Sequence, residues 1–205
     1  MERKVTDYFR KLSELLLSLQ VTDGEGGTLS LENGVERAVE MVLSFKSAPG
    51  KVIIIGNGGS ASTAGHLQND FFNLVGIRAM VVTEAAQLTA ISNDFGYGSC
   101  FERPVKQWAD IGDLLIAISG SGKSENVLRA VQAGIARGCK VITCSGIGEN
   151  NPLRRMGHLN FYVPSRYYGY VELAHSALAH YLIDAAATHS EEIACPAKSV
   201  VNKSW

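Results

Sequence analysis

Two glycine- and serine-rich turns carry residues suited to holding a phosphate. The first, Gly56-Asn57-Gly58-Gly59-Ser60-Ala61, follows an apolar β-branched run at 52–55 and opens a helix near Ser60. The second, Ser119-Gly120-Ser121-Gly122-Lys123-Ser124, follows the apolar run 114–118 and opens another helix. Free backbone N–H groups at a helix N-terminus attract an anion. A helix cap needs one serine, so the three hydroxyls of the second turn favour a phosphate monoester over capping alone. This turn is superficially like a Walker loop, but that motif requires glycine at position 117 and the chain has Ala117. The first turn also matches G-x-G-x-x-A, with Glu84 at about the separation of a ribose-binding acid. Alone, that is a weak dinucleotide signal.

Acid/base groups lie on two further stretches. His66 and Asp70 are four apart and share a helical face. Glu172 and His180 are eight apart on the last helical stretch, a little over two turns, and can share a face. His175 points roughly 140° away from His180 and, like His158, reads as structural. The set His66, Asp70, Glu172 and His180 has the chemistry to bind zinc or move protons; spacing alone leaves open whether the four meet. Asn93-Asp94-Phe95-Gly96-Tyr97-Gly98 reads as a polar turn between helical patterns.

These residues need a scaffold. Apolar spacing predicts helices over 3–20 and 31–45, the second capped by Ser30, with a loop over 22–27 and a break at 48–50. From residue 51 the pattern alternates. Strands are expected at 52–55, 78–82, 114–118, 141–144 and 161–163. Helices are expected at 60–72, 85–92, 101–109, 126–137, 152–156 and 170–188. Short apolar strands alternating with helices imply an α/β fold, a three-layer αβα sandwich around five parallel strands. The two leading helices either cover the sheet or pack on another subunit. Residues 1–188 read as one domain, with 1–47 as added helices and 189–205 as a polar tail.

The 205 residues are 46% hydrophobic and 19% charged, with formal net charge −1. That profile is globular and argues against a large nucleic-acid footprint. Apolar runs are too short for a membrane span. The basic start leads into an amphipathic pattern rather than a secretory signal, so a cytoplasmic location is expected. Four cysteines, Cys100, Cys139, Cys144 and Cys195, lack paired metal spacing and read as reduced structural thiols.

Taken together, Gly56-Asn57-Gly58-Gly59-Ser60 with His66, Asn93-Asp94-Phe95-Gly96, the serine turn 119–124, Val141-Ile142-Thr143, and a last helix with His175 and His180 resemble the SIS (sugar isomerase) phosphosugar-binding family. Within it they are most similar to the sedoheptulose-7-phosphate, or phosphoheptose, isomerases. The resemblance runs from the N-terminal helices to about Ala187. It implies a flavodoxin-like five-stranded sheet and a homotetramer with sites between subunits. It also implies conversion of sedoheptulose 7-phosphate to D-glycero-D-manno-heptose 7-phosphate. Ser119, Gly120, Ser121 and Ser124 would hold the phosphate; Asn57, Gly58, Gly59, Ser60, Asn93, Asp94 and Glu172 would line the sugar. Zinc would sit on His66, Asp70, Glu172 and His180, with no nucleotide cofactor. His180, Asp70 and Glu172 would be the catalytic groups. Aldose–ketose isomerisation passes through an enediol and needs a base, a proton donor and stabilisation of oxyanion charge. Histidine suits such a role because imidazole ordinarily titrates near neutral pH.

Two positions depart from the family pattern. Asp70 stands where the family has Glu, one methylene shorter, and a displacement of about 1 Å can cost roughly 100-fold in rate. Glu172 stands where the family has Gln. Glu172 acting as base while Asp70 ligates metal is one consequence; a different ketose phosphate is another. A third is retained phosphosugar binding without catalysis, as in the family's adaptor that binds a replication initiator.

Overall fold

The computed structural model describes residues 4–45 and 49–191. In chain order the elements are α1 (Val5–Leu17), β1 (Gln20–Asp23), β2 (Thr28–Leu29), α2 (Leu31–Leu43), β3 (Val52–Gly56), α3 (Gly59–Asp70), β4 (Ala79–Val81), α4 (Ala85–Phe95), α5 (Glu102–Trp108), β5 (Leu114–Ser119), α6 (Glu125–Ala136), β6 (Lys140–Ser145), β7 (Leu159–Tyr162) and α7 (Tyr168–Glu191). A π-helical turn, Phe71–Val75, follows α3 directly and ends on left-handed Gly76.

The sheet order is β2-β1-β7-β6-β5-β3-β4. β4, β3, β5, β6 and β7 are mutually parallel. Counted from β3, the parallel strands run 2-1-3-4-5, the flavodoxin-like winding. The sheet has two more strands than the five expected. Residues 20–23 and 28–29 form an antiparallel hairpin on the β7 edge. This corrects both the loop at 22–27 and the helix running to residue 20. Asp23 organises the hairpin turn by accepting from the N–H groups of Glu25 (3.0 Å) and Gly27 (2.7 Å), while Gly26 takes φ +88°.

Alternate residues of β3 face opposite layers. Ile54 packs with α2, α3 and α7; Ile53 and Ile55 pack with α5 and α6. Burying one such side chain contributes roughly 2 kcal/mol before entropy is counted. α2 joins the first layer through Val35, Ala38, Val39 and Val42. α1 buries only Leu15 and leaves Val5, Phe9 and Leu17 exposed. An apolar groove of about 730 Å³ runs between α1, α2 and α7, lined by Leu16, Leu19, Val35, Val39, Leu178 and Tyr181 among others.

Cys100, Cys139 and Cys144 are unpaired and buried; burial pushes the thiols of Cys139 and Cys144 up to about 11 and about 12. Cys195 and the rest of the tail from 192 lie outside the described residues. No helix among the described residues is long and apolar enough to cross a membrane.

The ends of the strands opposite the two turns are tied by charge. Asp113, fully buried, accepts from Lys51 Nζ (2.6 Å), Lys51 N (2.9 Å) and Asp110 N (2.9 Å). Lys51 also reaches exposed Asp110 at 2.8 Å. Burial works to lower the Lys51 pKa, but its bonds to Asp110 and Asp113 raise it on balance. Removing one member of a buried pair strands the other, at a cost of about 3 kcal/mol or more, whereas an exposed pair contributes under about 1. Urea denaturation should therefore show Asp113→Ala destabilised by about 3 kcal/mol and Asp110→Ala by much less. Equal losses would contradict this.

Candidate active site

The β3–β5 register pairs Ile55 with Ala117 and Gly56 with Ile118, so the two turns leave the sheet side by side. Strand order reverses between these two strands, and ligands of open α/β sheets bind in the crevice at that point. The first turn is tight because α3 starts at once. A Cβ on Gly56 would stand 2.7 Å from Ser60 Cβ, and Gly58 takes φ +55°.

Ser124 sits at the N-cap of α6, yet its side chain makes no cap bond. Its hydroxyl lies 3.3 Å from that of Ser119 instead. Ser121 Oγ accepts from Lys123 N at 3.2 Å. Ser124 is therefore not absorbed by capping, and its hydroxyl stands beside that of Ser119 at the N-terminus of α6. Gly122 has φ +61°, and a Cβ there would stand 1.9 Å from Asn151 Oδ1. Buried Asn151 braces the turn from behind; its Nδ2 donates to Gly148 O (2.7 Å) and its Oδ1 accepts from Arg154 N (3.0 Å).

The start of α7 lies against both turns. Tyr168 and Val171 approach Gly120, each 3.6 Å from where a Cβ would be. The Glu172 carboxylate lies over Gly59, its Oε2 3.1 Å from a Cβ placed there. That puts an anion at the positive end of α3.

Farther along the same two helices, His66, Asp70 and His180 converge. One ligand atom from each lies within 4.8 Å of the others. His66 Nε2 is 3.3 Å and His180 Nδ1 3.8 Å from Asp70 Oδ2, and the two imidazoles meet edge to face at 4.6 Å. Asp70 is largely buried, while both histidines are half exposed. Thr63, Leu67, Ser176 and Ala179 complete the crevice. Two imidazoles and a carboxylate fit an open zinc site with three protein ligands. Glu172 stands outside this group. It is eight residues from His180, roughly 12 Å along α7. Within one chain, three of the four expected metal ligands come together, and the fourth lies at the first turn, over Gly59.

Other expected residues fall as follows. Asn93 and Asp94 belong to the last turn of α4, not to a loop; they are exposed, and Asn93 Nδ2 donates to Asp94 Oδ1 at 2.8 Å. Glu84 caps α4, its carboxylate accepting from Ala86 N (3.1 Å) and Gln87 N (2.7 Å), bonds that lower its pKa. It is thus engaged by its own helix rather than presented to a ribose. His158 Nδ1 accepts from Val141 N at 3.1 Å, and burial lowers its pKa. His175 is buried with Nε2 3.2 Å from Ser145 O, and burial lowers its pKa to about 4, so it stays neutral. Both are structural histidines.

Sequence reasoning missed Asn126 and Tyr97. Asn126 exchanges amide bonds with Asn57, both 2.9 Å, and the Tyr97 hydroxyl lies 2.7 Å from Asn57 Oδ1. A polar residue among Val127, Ala130 and Val131 on the buried face of α6 was the available signal for Asn126.

Comparison with known proteins identifies the family and the fold. The SIS domain family matches over residues 7–146. A phosphoheptose isomerase of Syntrophotalea carbinolica is 33% identical over 156 residues, covering 73% of this chain and 79% of that protein. The solved phosphoheptose isomerase of Neisseria gonorrhoeae superposes with TM-score 0.76 at 28% identity, over 90% of this chain and 97% of that one. That of Francisella tularensis gives TM-score 0.77 at 26% identity, over 90% and 96%. On the winding of its sheet, its paired turns and this match over most of its length, the chain belongs to the SIS domain family.

Proposed function

We propose that the protein is an aldose–ketose isomerase of phosphosugars that interconverts sedoheptulose 7-phosphate and D-glycero-D-manno-heptose 7-phosphate. The observation that carries this reading is the meeting of His66, Asp70 and His180 on the two helices that also border the sugar and phosphate turns. A phosphosugar-binding adaptor has no need of that cluster. The relatives' names support the substrate class.

In this reading the hydroxyls of Ser119, Ser121 and Ser124, Gly120 and the N-terminus of α6 take the phosphate. Asn57, Gly58, Gly59 and Ser60, with Asn93, Asp94 and Glu172, border the sugar. Holding the phosphate orients the far end of the chain and lends remote binding energy to the chemical step. His180 moves a proton between the two reacting carbons and their oxygens, with Asp70 as the partner that orients it. His66, Asp70 and His180 would hold zinc, with Glu172 as the further ligand the resemblance implies. When bound, the ion would supply Lewis-acid polarisation of a carbonyl oxygen.

His66 lies seven residues beyond Gly59, roughly 10 Å along α3. That separation, and the apolar groove between α1, α2 and α7, support a homo-oligomer, a tetramer with sites between subunits. Residues 1–188 are read as its single domain and the cytoplasm as its location.

Purified protein should form aldose from sedoheptulose 7-phosphate. His180→Ala should lower kcat by at least 100-fold. Gly122→Ala, whose methyl group collides with Asn151, should instead raise KM, because the phosphate turn is displaced. No turnover by wild type, or an active His180→Ala, would overturn the reading. Metal analysis of protein prepared without chelators should give close to one zinc per chain, and His66→Ala should abolish it; metal retained in that variant would contradict the ligand set.

A further inference from the structure

The bonds around Asn57 can be assigned donor by donor. The backbone N–H of Val127 can only donate, and it donates to Asn126 Oδ1 at 3.0 Å. That fixes the Asn126 amide. Its Nδ2 donates to Asn57 Oδ1 (2.9 Å) and Cys100 Sγ (3.3 Å), and its Oδ1 accepts from Asn57 Nδ2 (2.9 Å). Asn57 Oδ1 is thus an acceptor, and the Tyr97 hydroxyl must donate to it, at 2.7 Å. Two consequences follow for the crevice. The Tyr97 oxygen has committed its hydrogen and keeps acceptor capacity. Asn57 Nδ2 keeps one hydrogen that bonds no described residue. Donor and acceptor stand on directly bonded neighbours where the strand order reverses.

Tyr97 itself is 57% exposed although its hydroxyl is held. The segment carrying it also touches the other turn's helix. A Cβ on Gly98 would stand 2.7 Å from Glu125 Oε1, and Arg129 donates to Ser99 Oγ at 3.1 Å. Glu125 directly follows Ser124, so the segment bearing Tyr97 packs on the start of α6 while the Tyr97 hydroxyl is held by Asn57 of the first turn.

We propose that Tyr97 is a substrate-contact residue: its oxygen accepts from, and the remaining Asn57 N–H donates to, a hydroxyl of the sugar chain. A single hydroxyl can answer both, being donor and acceptor at once. A site built this way discriminates against an analogue lacking that hydroxyl, because its own polar groups are left unpaired. The proposal rests on the phosphosugar reading and adds to it a residue selecting for a hydroxylated chain.

The test compares wild type with Tyr97→Phe, which keeps the ring and removes only the oxygen. KM for sedoheptulose 7-phosphate should rise about tenfold, the usual size of one lost hydrogen bond. Inhibition by inorganic phosphate should be unchanged, because the serine turn is untouched, and the thermal midpoint should stay within about 2 °C. An unchanged KM overturns the proposal. So does a parallel loss of inorganic phosphate affinity with a lowered midpoint, which would make Tyr97 only a brace. If wild type binds sedoheptulose 7-phosphate without converting it, the isomerase reading fails, and the calorimetric affinity ratio of the same two proteins decides the role of Tyr97. If wild type does not bind it at all, both fail.

Discussion

The site depends on the side-by-side exit of two strands. Because β3 pairs with β5 in a register that sets Gly56 beside Ile118, Asn57 and Ser119 emerge together. Because the strand order reverses there, α3 and α6 depart to opposite faces and leave a crevice rather than a continuous wall. The same register is tied at the other end by Asp113, which takes both the backbone and the side chain of Lys51. A one-residue slip would turn every side chain of β3 to the other face. It would also part the two turns, so core packing and the pairing of the turns are specified by one set of strand hydrogen bonds.

A second constraint follows from how α3 and α7 lie. Gly59 meets Glu172 near the start of each helix, and His66 and Asp70 meet His180 farther along, so the two helices run in the same direction. Parallel packing produces two stations. The near one has small residues, an anion and two helix N-termini; the far one has imidazoles around a nearly buried carboxylate. Asp70 is the last residue of α3 before the π-helical turn, and its short side chain reaches both histidines through Oδ2. The shorter carboxylate is therefore compatible with a close three-residue cluster. Glu172 rests where α3 is positive, which would moderate its repulsion of the anionic substrate proposed above.

Much of this was legible in the sequence for a physical reason. The buried parallel strands are short β-branched runs, and the turns must be glycine where backbone meets backbone. The helix pairs His66/Asp70 and Glu172/His180 follow from 3.6-residue periodicity. The edge hairpin was not legible because Gln20, Thr22 and Asp23 are polar, and only Val21 is buried. Asp-Gly-Glu-Gly-Gly before Thr28 read as a loop, and the helical reading of 3–20 took in Gln20, so the short strands on either side of the turn went unseen. Asn93 and Asp94 looked like loop residues, yet the helix continues to Gly96, whose φ of +80° ends it. Periodicity could place Glu172 and His180 on one face, roughly 12 Å apart along α7, but which of the two meets His66 and Asp70 depends on how α3 packs on α7. The pairing of Asn57 with Asn126 and Tyr97 depends on contacts 69 and 40 residues apart, beyond any local pattern.

The proposed isomerisation of a polyol phosphate at this switch point has one chemical signature. Proton transfer through an enediol exposes the transferred hydrogen to exchange with solvent. Proton NMR of sedoheptulose 7-phosphate incubated with the protein in deuterium oxide measures this directly. Deuterium should appear at the carbon next to the carbonyl as aldose accumulates, and both should be lost in His180→Ala. Ketose that stays unlabelled and unconverted in the presence of zinc-loaded wild type would contradict it.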